Sequence, residues 1–145
     1  MRRLFTSAAV VALVALSGCA QGGTKTTSSV DNFSGDSKQV AKTVENFQAE
    51  ATADNGTKIC TALITAKLAE QITAKNPQAS CAASVTAAMK ATDEAALTVT
   101  KVTIDAKNKD KATATVRAKT DDKSSKPYSF TLIRSGNSWQ IASFG

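Results

Sequence analysis

The sequence predicts an α+β domain in which N-terminal helices pack on one face of a four-stranded antiparallel sheet. Three observations carry that expectation. Between residue 37 and about residue 90 the larger apolar residues recur at spacings of three and four, the mark of helices with one buried stripe. From Leu97 onward they alternate at a spacing of two, as half-buried strands do. Turn residues divide this alternating part into four runs, and helices followed by strands give an α+β layer arrangement.

The elements follow in order. In "DSKQVAKTVENFQAEATAD", Val40, Val44, Phe47 and Ala51 form one stripe. Asp36 or Ser37 is placed to cap its start, and "DNG" at 54–56 ends it. "TKICTALITAKLAEQIT" carries Ile59, Leu63, Leu68 and Ile72, with Thr57 and Thr65 each placed to cap a helix, which predicts two helical pieces and a kink. "KNPQAS" breaks the pattern at Pro77, and Cys81, Val85 and Met89, spaced by four, define a further helix. "ALTVTKVTIDA" sets Leu97 and Val99 in one phase and Val102 and Ile104 in the other, which a bulge near Thr100-Lys101 reconciles. "NKD" at 108–110 is a turn before "KATATVRAKT", where Ala112, Ala114, Val116 and Ala118 alternate with polar residues. The polar loop "DDKSSKP" leads to "YSFTLIRSG", Gly136-Asn137 marks the last hairpin, and "SWQIASFG" supplies Trp139 and Ile141.

The N-terminal part has a different character. Arg2 and Arg3 precede the apolar run "LFTSAAVVALVAL", and Ser17-Gly18 stand just before Cys19. That is the layout of an export signal over residues 1–18, too short to span a bilayer comfortably. Its ending, Leu16-Ser17-Gly18-Cys19, resembles the bacterial lipoprotein signal, or lipobox. The resemblance implies that the Cys19 thiol receives a diacylglycerol and that the chain is cut just before it. The mature protein is then anchored at the extracytoplasmic face of the cell membrane, since two acyl chains hold stably where one does not. Residues 20–36 are rich in Gly, Ser and Thr, so residues 19–36 read as a lipidated flexible tether with a reach of roughly 20–25 Å. Phe33 is the first residue placed against the folded part, and residues 37–145 make one small domain.

The order of helices and alternating strands, closing on Gly136, Trp139 and Ile141, resembles the nuclear transport factor 2-like superfamily, the cystatin-like α+β roll. More narrowly it is similar to small actinobacterial lipoproteins of that superfamily, in which a Cys-x-x-Leu helix pairs with a later cysteine; here these are Cys60, Leu63 and Cys81. The resemblance spans about residues 37–145 and implies a curved sheet with a cone-like interior. It implies a Cys60–Cys81 disulfide, and cysteine usage agrees, because two cysteines in an exported domain most simply pair. A metal pair or a redox pair are the alternatives; both lack the usual C-x-x-C spacing, and the metal pair lacks any histidine.

Composition narrows the function. Removing Arg2 and Arg3 from the 18 basic residues leaves 16 against 12 acidic, a mature charge of about +4, with the lysines scattered. Nucleic-acid binding would want a clustered basic face with stacking aromatics, and export argues against it. No histidine occurs, which removes His-based triads, His-ligated zinc and the commonest base at neutral pH. No cofactor and no metal is expected. Superfamily enzymes such as ketosteroid isomerase use a tyrosine and carboxylates, for which Tyr128 and Asp105 are the candidates here. The favoured reading is a non-catalytic binding module for an apolar small molecule or an envelope protein; the alternatives are a minimal Tyr/Asp enzyme and a purely structural envelope lipoprotein. Phe47, Phe130, Trp139 and Ile141 are the candidate pocket wall, with Trp139 either stacking on a ligand or sitting in the core with its indole N–H on a carbonyl.

Overall fold

The computed structural model describes residues 29–91, 96–119 and 127–145. The signal segment, Cys19 and tether residues 20–28 lie outside the described residues. Helix α1 (Gly35–Thr52) buries Val40, Val44 and Phe47 of the stripe read from the sequence, and Ala41 beside them, while Ala51 is only half-buried. Its cap differs from expectation. Ser34 holds the N-cap position without a side-chain bond, because Asp36 is drawn to an arginine on the sheet. The helix ends at Asp54, which takes a left-handed φ of 54°, a conformation aspartate tolerates better than most residues.

A short helix, α2 (Gly56–Lys58), starts next, and its cap is Asn55 rather than Thr57: the Asn55 side chain accepts from the Lys58 N–H at 3.2 Å. The chain then widens into a π turn over Ile59–Leu63, closed by the Ile64 N–H donating to the Ile59 carbonyl at 3.1 Å. A turn closed over five residues brings Ile59, Leu63 and Ile64 to one side, and all three are buried. This is the predicted kink. Thr65 caps α3 (Ala66–Lys75) by accepting from Leu68 N–H. Ser80, overlooked by the periodicity, accepts from Ala83 N–H at the start of α4 (Cys81–Ala91).

Four antiparallel strands form a meander in the order β1 (Ala96–Ile104), β2 (Lys111–Lys119), β3 (Tyr128–Ser135) and β4 (Ser138–Phe144). A bulge between Val99 and Lys101 lets the two apolar phases of β1 share a face, as expected. A second shift lies on β4: Thr131 pairs with Ser143 while Leu132 pairs with Ile141, leaving Ala142 as the extra residue. That bulge turns Phe144 to the helix side. Gly136, at φ 60°, makes the β3–β4 turn. The outer edge of β4 is covered, because Ile64 bridges Ile141 in parallel and Thr65 N–H donates to the Ile141 carbonyl at 2.9 Å.

Ser29, the first described residue and eight residues before the expected boundary, already belongs to the folded body, so residues 29–36 are not part of a tether. Ser29 and Val30 are buried. One Glu45 oxygen on α1 accepts from Ser29 N–H at 2.7 Å, from its hydroxyl at 3.2 Å and from Val30 N–H at 3.2 Å. The Ser29 hydroxyl oxygen in turn accepts from Val99 N–H on β1 at 3.2 Å. Composition makes this stretch look solvated; one distant carboxylate satisfies its polar groups instead.

Cys60 in the π turn and Cys81 at the start of α4 form a disulfide with Cα atoms 6.2 Å apart. Closing a loop of this length stabilises by roughly 3 kcal/mol in the chain-entropy model. The bridge holds α4 against the α2 end, where Gly56 is buried beneath it. A Cβ at position 56 would collide with the Ala82 carbonyl oxygen and lie 2.6 Å from Thr86 Oγ1. Backbone cannot swing aside as a side chain can, so Gly56→Ala should cost roughly 2–3 kcal/mol and lower the melting temperature by about 10 °C or more. An unchanged denaturation midpoint would show that the α2–α4 crossing relaxes freely.

Candidate functional site

The four residues expected to line a pocket are instead the hydrophobic core. Phe47, Phe130, Trp139 and Ile141 are exposed by only 5%, 7%, 2% and 0%. They belong to one cluster in which α1, the π turn and the inner sheet face interdigitate. Phe47 and Phe130 meet edge to face at 6.1 Å, and half-exposed Phe144 closes over both at 5.6 and 5.2 Å. Alternation identified the shared face correctly; complementary volumes fill it. The depression of about 470 Å³ on α3, lined by Ala69, Glu70, Thr73, Ala74 and Pro77, opens to solvent and gathers a single ionisable group.

Trp139 also departs from expectation, because its indole N–H has no hydrogen-bond partner among the described residues. The ring is held through its face. The Arg134 guanidinium carbon sits 4.7 Å from the ring centroid, and Arg134 Nη2 contacts Asp36 Oδ2 at 2.6 Å. Asp110 Oδ1 lies 3.3 Å from Arg134 Nε, close enough to pair in charge but off the N–H direction. The Arg134 backbone N–H donates to the Asp110 carbonyl at 2.7 Å. One side chain therefore ties the start of α1, the β1–β2 turn and the last hairpin.

Tyr128 and Asp105 do not form a site. Tyr128 pairs with Val116 on β2, whereas Asp105 bonds to Lys111, so the two stand about five residues, or roughly 17 Å, apart along that strand. The Asp105 carboxylate accepts from the Lys107 and Asn108 N–H groups at 2.8 and 3.1 Å, and these bonds hold its pKa below the ordinary aspartate value. It is a turn residue.

The outer sheet face has a distinct chemistry. Thr103, Thr113, Thr131 and Ser143 are successive partners in one row across all four strands. Exposed Lys101, Arg117 and Lys111 flank that row on β1 and β2. None of these three cations has a carboxylate within ion-pairing distance among the described residues. On the helical side Lys38, Lys58 and Lys90 are paired with Asp31, Glu50 and Asp54. The sequence reading found no such face, because lysines scattered along the chain converge only once the strands pair.

Compared with known protein families, curated sequences and solved structures, the chain matches none.

Two measurements check this description. Arg134→Lys keeps the charge but loses the planar group over Trp139, and should destabilise by roughly 1–2 kcal/mol with a red-shifted, more quenchable Trp139 emission. If stability and emission both hold, the arginine is a bystander. Asp105, whose folded pKa is lowered, should titrate below 3.8 in an NMR pH series. Its stabilising effect is then complete above the unfolded pKa and lost as pH falls through the folded one. A normal or raised value would remove the turn bonds from the account.

Proposed function

We propose that this protein is an exported lipoprotein, held at the extracytoplasmic face of the cell membrane by acylated Cys19, whose domain is a non-catalytic binding module of the nuclear transport factor 2-like kind. The observation that carries the reading is the Leu16-Ser17-Gly18-Cys19 junction behind a charged and apolar segment. The Cys60–Cys81 bridge supports it, since such bonds persist in oxidising compartments outside the cytoplasm. Helices preceding an antiparallel sheet, with Trp139 and Ile141 in its last strand, support the superfamily assignment.

Packing of the interior moves the binding function outward. An apolar small molecule would have to displace Phe47, Phe130, Trp139 and Ile141 from a filled core, so the working surface is an exposed one and the partner is another envelope component. Separation of Tyr128 from Asp105 weighs against the minimal enzyme.

In a bacterial host the wild-type chain should incorporate a labelled fatty acid and fractionate with membranes. Cys19→Ala should lose the label and either leave the membrane fraction or accumulate with residues 1–18 still attached. A variant that is cut, retained and labelled like the wild type would overturn the lipoprotein reading.

A further inference from the structure

We propose that the outer face of the β1–β2 hairpin docks on the phosphate headgroups of an anionic lipid bilayer, so that the domain lies sheet-down on its membrane. The inference deepens the reading above and rests on it for the membrane's proximity. Charge is the first argument. Described residues 29–91 carry six lysines and six carboxylates, Lys38, Lys42, Lys58, Lys67, Lys75 and Lys90 against Asp31, Asp36, Glu45, Glu50, Asp54 and Glu70. The described strands and their turns carry seven basic residues against Asp105 and Asp110 alone. Of these two acids, Asp110 faces Arg134 and Asp105 is tied into its own turn at the rim. The folded body's positive charge therefore lies in the sheet half.

Shape and chemistry agree. The hydroxyl row from Thr103 to Ser143 spans three inter-strand spacings, about 14 Å, and hydroxyls beside unpaired cations are the groups that bind phosphate oxygens. By register, no aromatic side chain stands on the described part of that face to stack on a sugar ring. A second copy is a poor occupant, because a two-fold contact would bring two copies of the same positive face together. Sequence position supplies the geometry. Only ten positions separate Cys19 from Ser29, which is bonded to β1 of this hairpin, so acylated Cys19 would hold the hairpin within about 36 Å of the headgroups even at full extension. Headgroup charge acts within about a Debye length of the surface, a layer that a domain held so near it samples.

The test uses a chain starting at Ala20, which cannot be acylated and keeps every described contact, since all lie at or beyond Ser29. It should co-sediment with phosphatidylglycerol/phosphatidylcholine vesicles and not with phosphatidylcholine alone, with binding falling steeply as salt rises. Lys101→Gln with Arg117→Gln should weaken partitioning roughly 25-fold, at about fivefold per cation. Lys67→Gln with Lys75→Gln, the same charge change on α3, should move it by about twofold or less. All four positions are exposed, so unchanged melting temperatures are expected and make the comparison valid. Equal losses in the two pairs, binding to neutral vesicles, or preference for soluble polyphosphate over vesicles would overturn the proposal. So would self-association through this face. Because the tested chain lacks Cys19, its outcome is independent of acylation: failure here leaves the lipoprotein reading standing, and failure of labelling at Cys19 leaves the vesicle result standing.

Discussion

The close approach of α1 to the sheet is the constraint on which the rest depends. Val40, Ala41 and Val44 on the helix and Ala112, Ala114 and Val116 on β2 are all 1% exposed or less. Alanines on the inner side of a central strand let a helix settle nearer than larger residues would. The space a superfamily fold could leave open as a cone is here occupied by side chains from both layers. Phe144, turned inward by the β4 bulge, covers the end where Phe47 and Phe130 meet.

Two cross-links hold α1 in place, one near its start and one at its middle. Near its start, Asp36 reaches Arg134, which lies over Trp139 and beside Asp110. Further along, Glu45 gathers the Ser29–Val30 strap, and Ser29 meets the edge of β1. The disulfide does comparable work for α4, beside buried Val85, the Lys90–Asp54 pair and the Thr86 hydroxyl donating to the Asp54 carbonyl. A small domain with an alanine-rich core gains most from such links, because its buried apolar area alone leaves little margin.

The two layers treat their charges differently. On the helical side Lys38, Lys58 and Lys90 lie within reach of Asp31, Glu50 and Asp54, and the six lysines of residues 29–91 are matched by six carboxylates. On the outer sheet face, Lys101 and Arg117 stand opposite threonines and Lys111 opposite Ile133. Like charges directly opposite in a sheet would repel; Lys101 opposite Thr115 and Arg117 opposite Thr98 avoid this while leaving the face positive.

Much of the fold was legible because periodicity is local: the α1 stripe, the Thr65 cap, the β1 bulge and the Gly136 turn each follow from a few neighbouring residues. The Cys60–Cys81 pairing followed from a family resemblance and from cysteine usage, and the two residues are bonded. Alternation also placed Phe130, Leu132, Trp139 and Ile141 on one face. Whether that face enclosed space or filled it was not a local matter, since it depends on volumes contributed by residues nearly a hundred positions apart. The Ser29–Glu45 strap and the Arg134 cluster were hidden for the same reason: their partners are distant in sequence, and no spacing rule joins them. By itself the sequence determined element type, order and which residues of each strand share a face, through patterns of three to four residues and of two. Tertiary structure alone decided that the helices close over the inner sheet face, that Ser29 and Val30 belong to the folded body and that exposed Lys101, Lys111 and Arg117 share the outer face, because each is a sum over contacts made only when the layers meet.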